Sequence, residues 1–191
     1  MIDIGYNKIH LQGHSLGCTK IVYTYNRLVE ENNTEILNKI GSVILLSLVD
    51  IVQTQKYSLN GKFDEMLEYA LNKEKENNLF ELMPQNAFIH PISVKSYLRY
   101  FKYNEKIDFS RYGNENYNFE ELNNITVPIF MRWGNDKEMI IQDVNVLIKF
   151  MNNKINNIHK DISYIDGANH NYDGKELILA TEIVNFLKNK N

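Results

Sequence analysis

The sequence predicts an α/β fold with a mostly parallel sheet, and two observations indicate it. Short apolar runs alternate along the chain with segments whose apolar residues recur at helical spacing. The run SVILLSLV, from Ser42 to Val49, is apolar without alternation, which is typical of a strand covered by helices on both faces of a parallel sheet. With 191 residues, 43% of them hydrophobic, the chain can bury a core of this kind.

The strands and helices are expected in alternating order. The first, third and fourth strand runs are each followed by turn residues and then by a helical pattern, which favours an α/β fold with a parallel sheet. The expected strands are Lys8–Gln12, Ser42–Val49, Val127–Trp133 and Asp161–Ile165. The expected helices that accompany them are Thr19–Glu30, Asp143–Met151 and Lys175–Lys188.

A long segment between the second and third strands differs from the rest of the chain. It is rich in Asn, Lys, Glu and Tyr and carries helical patterns at Phe63–Glu76 and Val94–Tyr103. A structureless loop of this length inside a compact domain would be unusual, so we interpret residues 53–121 as a helical insertion. Residues 1–52 and 122–191 are then expected to form the sheet domain.

Composition excludes several classes of protein. Lys and Arg number 21 against 24 Asp and Glu, a net charge of -3, so no basic field favours nucleic acid. The lone Cys18 rules out a disulfide framework and is typical of a reducing compartment, so we expect a cytoplasmic location. The longest apolar stretch, residues 40–52, is too short to span a membrane. No HExxH, CxxC or GxGxxG motif occurs, so no metal or cofactor is expected.

The most informative motif is Gly13-His14-Ser15-Leu16-Gly17, between a predicted strand and a predicted helix. A serine on a tight strand-to-helix turn projects its hydroxyl from the edge of the sheet. The glycines on either side are expected to let the strand and the helix approach closely. This pattern predicts that Ser15 is a nucleophile. Cys18, in the first turn of the helix, is expected to be structural.

On this motif and its setting the sequence resembles the α/β-hydrolase family. The resemblance implies an acid and then a histidine, in that chain order, each after a later strand. Asp136 follows VPIFMRW and His170 follows DISYI, so these two residues match the pattern. Glu138 and Asp166 remain alternative acids.

The resemblance also implies a mechanism. Ser15 would attack an acyl carbonyl, His170 would transfer the proton, and Asp136 would orient the imidazole. The backbone N–H of Leu16 would be one oxyanion donor. The expected function is a serine hydrolase that cleaves a carboxylic ester, or a related acyl bond, of a small molecule. The alternative is an inactive remnant that serves as a binding or interaction domain.

The resemblance further implies a helical cap and an incomplete sheet. Residues 53–121 fall where many of these hydrolases carry a cap, and His90–Arg99 is faintly similar to cap segments of siderophore-esterase-like hydrolases. The family's sheet has strands before the elbow strand, which supply the second oxyanion donor, whereas 14 residues precede Ser15 here. We therefore expect a core that lacks the N-terminal strands, a fragment of a longer enzyme. The missing N-terminal half or another chain would cover the first strand.

Overall fold

The structure is a computed structural model that describes residues 5–103 and 108–189. Residues 1–4 and 190–191 of the expected sheet domain, and 104–107 of the expected insertion, lie outside the described residues. The strands are β1 (Ile9–His14), β2 (Ile40–Leu46), β3 (Ile129–Gly134) and β4 (Lys160–Ile165). The helices are α1 (Leu16–Glu30), α2 (Thr34–Leu37), α3 (Ile51–Ser58), α4 (Phe63–Lys75), α5 (Val94–Phe101), α6 (Glu120–Asn123), α7 (Val144–Lys154) and α8 (Glu176–Asn189).

The four strands form one parallel sheet in the order β1-β2-β3-β4, which confirms the predicted fold class. Their carboxyl ends lie at the same edge: His14 is opposite Leu46, and Leu46 is opposite Arg132. The next pair ends with Gly134 opposite Ile165. The loops that follow the four strands therefore meet at this edge, where ligands of parallel sheets usually bind.

Two strands end at least two residues away from the positions that the apolar pattern gave. β1 continues through Gly13 to His14, so half of the glycine motif belongs to the strand. β2 ends at Leu46, three residues before the predicted end, because Ser47 has a φ of 47° and leaves the extended conformation. The helices of the sheet domain begin and end within about three residues of their predicted limits.

The segment between β2 and β3 contains α3, α4, α5 and α6, and its side chains contribute to two apolar clusters. The insertion cluster joins α3, α4 and α5, and its buried members include Phe63, Tyr97 and Phe101. The side chains of Phe109, Tyr112, Phe119, Leu122 and Ile125 instead pack in the cluster of α1 and the sheet. The chain therefore rejoins the core of the sheet domain by Phe109, before the predicted end of the insertion at residue 121.

The two ends of the insertion are joined to each other. The carboxylate of Asp50, the N-cap of α3, accepts hydrogen bonds from the backbone N–H of Gln53 and of Gly113, each at 3.0 Å. The Ser110 hydroxyl donates to the carbonyl oxygen of Val49. The segment that follows β2 and the segment around residues 110–113 therefore lie side by side. None of the helices in the described part of the chain has the length and apolar character needed to cross a membrane.

Candidate active site

Ser15 alone joins β1 to α1, and its backbone is strained. Its φ of 53° and ψ of -127° lie in a region that residues with side chains rarely adopt, and its N–H donates to the Leu46 carbonyl at 2.8 Å. Serine at a helix N-cap usually accepts a hydrogen bond from the first turn, but the Ser15 side chain does not. Within the described residues its hydroxyl forms no hydrogen bond, so it is available for chemistry.

The two glycines of the motif have different roles. A Cβ on Gly13 would lie 2.6 Å from the backbone of Gly17, so glycine is required there for the strand and the helix to approach. A Cβ on Gly17 would meet nothing within 4 Å among the described residues. The steric reason expected for both glycines therefore holds for Gly13 and not for Gly17.

His170, in the loop after β4, is hydrogen-bonded to Glu138, in the loop after β3. The imidazole Nδ1 contacts Oε1 of the carboxylate. The pair lies inside the protein, with 2% of the Glu138 side chain and 15% of the His170 side chain exposed. Since a carboxylate accepts hydrogen bonds, Nδ1 carries a proton in this pair, and Nε2 is the ring nitrogen left for proton transfer.

The structure does not bring the predicted acid, Asp136, to His170. The Asp136 side chain is exposed, and its backbone N–H donates to the carbonyl oxygen of Ala168 at 2.9 Å. The reason is the path of the loop: Lys137 has a φ of 50°, which turns the backbone so that Glu138 points inward. The other alternative acid, Asp166, accepts a hydrogen bond from the Asn135 side chain at 2.8 Å.

The Glu138 carboxylate is held by four donors. Oε1 accepts from His170 Nδ1 and from the N–H of Met139, and Oε2 accepts from the N–H of Gly134 and from the Ser47 hydroxyl. Burial by itself would raise the pKa of this carboxyl, but the four hydrogen bonds outweigh it and hold the pKa below its usual value. The group is therefore an anion that faces the imidazole.

His14 connects the serine turn to the histidine loop. Its Nε2 lies 2.7 Å from the carbonyl oxygen of His170, so Nε2 is the protonated nitrogen and donates this hydrogen bond. The two rings are 5.0 Å apart between centroids. His14 is exposed, and its hydrogen bond holds the His170 loop next to Ser15.

Backbone strain is concentrated at this edge of the sheet. In the described part of the chain, nine non-glycine residues have a positive φ. Four of them are asparagines, which tolerate this conformation, and Phe119 precedes α6. The other four are at the site: Ser15, Ser47, Lys137 and Tyr172. Strained residues that gather in one place are typical of functional sites.

Sequence reasoning missed two members of the site. Ser47 was placed inside a strand, and Tyr172 was not singled out. The Tyr172 hydroxyl donates to the Arg132 carbonyl at 2.7 Å and accepts from the Ser47 N–H at 3.1 Å, which joins the ends of β2 and β3. The one signal for Ser47 is that it is a polar residue in an apolar run.

Leu16 lies between the serine turn and the insertion. As the first residue of α1 its N–H has no partner within the helix, and it points from the positive end of the helix dipole. The Leu16 side chain packs against the insertion cluster. The insertion therefore lies beside the nucleophile candidate.

Cys18 is structural, as the sequence predicted. The side chain is fully buried, and its thiol is within 3.3 Å of the carbonyl oxygens of Gly13 and Leu46. Burial raises the pKa of the thiol to about 12, so the nucleophilic thiolate is scarce at neutral pH. Within the part of the chain that the structure describes, no group of three His, Cys, Asp or Glu side chains is arranged to hold a metal.

Comparison with solved structures identifies the fold. The mouse α/β hydrolase domain-containing protein 10 has a TM-score of 0.51 and 14% identity, over 99% of this chain and 65% of that protein. The monoacylglycerol lipase of Paleococcus ferrophilus has a TM-score of 0.52 and 15% identity, over 98% of this chain and 70% of the lipase. The chain has the α/β-hydrolase fold.

A third structure, naproxen esterase from Bacillus subtilis, has a TM-score of 0.45 and 22% identity, over 96% of this chain and 60% of the esterase. The chain thus spans 60 to 70% of the length of these three proteins. No protein-family model matches the sequence, and no curated protein sequence matches it.

Proposed function

We propose that this chain is a serine hydrolase that cleaves a carboxylic ester, or a related acyl bond, of a small molecule. One observation carries the proposal. A buried Glu138 carboxylate holds the Nδ1–H of His170, at the edge of the sheet where the strained turn presents the unbonded hydroxyl of Ser15. The fold supports a hydrolase, and a sequence with a single cysteine supports a cytoplasmic location.

The proposed reaction has two steps. Ser15 Oγ attacks the acyl carbonyl while His170 Nε2 takes its proton, and the same proton passes to the departing alcohol. Water then attacks the acyl-enzyme, gives its proton to Nε2 and releases the acid as the proton returns to Ser15. Glu138 stays ionised and stabilises the imidazolium. The mechanism requires Ser15 Oγ to come within about 3.2 Å of Nε2 when substrate is bound.

The surroundings of Ser15 support two further roles. The backbone N–H of Leu16 is an oxyanion donor at the positive end of α1. The insertion acts as a cap, because its apolar cluster packs against the side chain of Leu16, the residue next to Ser15. Asp136, which the sequence favoured as the acid, has no role in this mechanism, and Glu138 takes its place.

A fluorophosphonate probe, which phosphorylates activated serines, tests the proposal. The full chain is expected to be labelled at Ser15, and Ser15→Ala to abolish the label. Glu138→Gln is expected to slow labelling on the order of 10³- to 10⁴-fold, because the charge that holds the imidazole is lost. Asp136→Asn is the matched control, since it removes a carboxylate from the same loop and is expected to leave the rate unchanged.

Two outcomes would contradict the proposal. Labelling that persists in Ser15→Ala would place the nucleophile elsewhere, and a larger effect of Asp136→Asn than of Glu138→Gln would restore the acid that the sequence favoured. A folded chain that takes up no probe would instead favour the inactive binding domain. Hydrolysis of a short p-nitrophenyl ester by the same variants gives an independent measurement.

A further inference from the structure

Ser47, at the end of β2, is a buried residue that the proposed chemistry does not use. Its side chain is fully buried, and its φ of 47° is a strained conformation for a residue other than glycine. Such a conformation persists only where the surroundings fix it. Around Ser47 these surroundings are the polar groups of Glu138, His170 and Tyr172.

The single proton of the Ser47 hydroxyl can be donated to one of these groups. Three oxygens are close to Oγ: Oε2 of Glu138 at 2.8 Å, the Tyr172 hydroxyl at 3.0 Å and the His170 carbonyl at 3.1 Å. The hydroxyl has one proton, and the carboxylate is both the nearest and the charged acceptor, so the proton goes to Glu138. The His170 carbonyl takes its hydrogen bond from His14.

The two oxygens of Glu138 therefore have separate sets of donors. Ser47 Oγ and the N–H of Gly134, at 3.0 Å, hold Oε2. The N–H of Met139, at 2.8 Å, and His170 hold Oε1. Without Ser47 one site on Oε2 would be an unsatisfied buried acceptor, and the carboxylate could turn about its last side-chain bond toward another donor.

We propose that Ser47 is a positioning residue, whose hydroxyl orients the Glu138 carboxylate so that Oε1 faces Nδ1 of His170. The effect of Ser47 on catalysis rests on the proposed function, but the orientation of the Glu138 carboxylate can be measured without turnover. The strained backbone of Ser47 follows from it, because a φ of 47° ends β2 and points Oγ at the carboxylate.

The test compares Ser47→Ala and Ser47→Gly, which remove the hydroxyl, with Ser47→Thr, which keeps one. The matched control is Ser42→Ala, since Ser42 is also buried on β2 but bonds to His10 at 2.8 Å, away from Glu138. Three quantities are measured on the full chain. They are the proton NMR shift of the His170 Nδ1–H after ¹⁵N-histidine labelling, the ¹³C carboxyl titration of Glu138, and the rate of fluorophosphonate labelling at Ser15.

The alanine and glycine variants are expected to move the Nδ1–H resonance upfield and to raise the pKa of Glu138. Both are also expected to slow labelling on the order of tenfold. Ser42→Ala leaves all three quantities unchanged, and Ser47→Thr stays close to the parent. The stability of the three Ser47 variants is expected to follow a different order. The glycine variant is expected to be the most stable, because glycine relieves the strain at φ 47°. The threonine variant is expected to be the least stable, because a β-branched residue increases that strain.

This difference in order separates positioning from a structural role. An unchanged Nδ1–H resonance and Glu138 titration in the folded glycine variant would overturn the inference, and that variant is expected to fold even if the alanine variant does not. If no chain takes up the probe, the parent included, the proposed function fails, while the two NMR measurements still decide the role of Ser47.

Discussion

Gly134 and Ala168 lie in direct backbone contact at the ends of β3 and β4. A Cβ on Gly134 would be 2.1 Å from the carbonyl oxygen of Ala168, the same oxygen that accepts the N–H of Asp136. The loop that carries Glu138 is in this way pressed against the loop that carries His170. The hydrogen bond between the two side chains depends on this contact.

Gly134→Ala is therefore expected to lower the free energy of unfolding by about 2–4 kcal/mol, because backbone cannot move aside as a flexible side chain would. Urea denaturation followed by the fluorescence of Trp133 gives the measurement, since Trp133 is the single tryptophan and is fully buried. Stability equal to that of the parent would mean that the two loops are not in contact in solution.

The motif glycines are expected to respond differently to alanine. Gly13→Ala should cost about 2–3 kcal/mol, because its Cβ would overlap the backbone of Gly17. Gly17→Ala should stay within about 1 kcal/mol of the parent, on the stable side, because it lies in α1 and has open space around it. Thermal unfolding of the two variants side by side checks this. Equal losses would show that the second glycine has a steric role.

The strained backbone of Ser15 is expected to lower the free energy of unfolding. Since its φ of 53° suits glycine better than any residue with a Cβ, Ser15→Gly should be more stable than Ser15→Ala by about 1–2 kcal/mol. Neither variant can be labelled by the probe. Urea denaturation of the pair makes the comparison, and a more stable alanine variant would indicate that the turn relaxes without strain.

The pH dependence of stability should reveal the buried anion. The pKa of Glu138 is lowered in the folded state, so its contribution is fully present above the ordinary value of 4.5 and is lost as the pH falls through the lower folded value. The stability difference between the parent and Glu138→Gln is expected to shrink below pH 4.5.

This difference between variants is more informative than the pH profile of the parent alone. Burial raises the pKa of Asp50 and of Asp108 in the folded state. Their contribution to the free energy of unfolding therefore decreases as the pH rises, whereas that of Glu138 increases. A difference that grows on acidification would contradict the assignment of Glu138 as the anion.

Local patterns in the sequence determine most of the fold and the place of the proposed nucleophile. Apolar runs mark the strands, helical periodicity marks the long helices, and the motif around Ser15 needs only its neighbours in sequence to form. For the same reason the alternation of strands and helices predicted a parallel sheet.

The acid and its support depend on contacts between distant residues. Asp136 and Glu138 are two positions apart in one polar loop, and only the turn at Lys137 decides which of them faces inward. Nothing near Ser47 in sequence indicates that it meets a carboxylate 91 positions away. The pattern gives the loop whose carboxylate bonds to His170, and tertiary packing selects Glu138 over Asp136.

The hydrogen bond between Asp50 and Gly113 has a consequence for the evolution of this protein. The Asp50 carboxylate bonds to the N–H of Gly113, so the two ends of the helical insertion lie side by side. Helices between them can be lengthened, deleted or replaced by recombination without altering the route from β2 to β3. Under the proposed function, one genetic event of this kind would change the substrate preference, while Ser15, Glu138 and His170 are inherited unchanged.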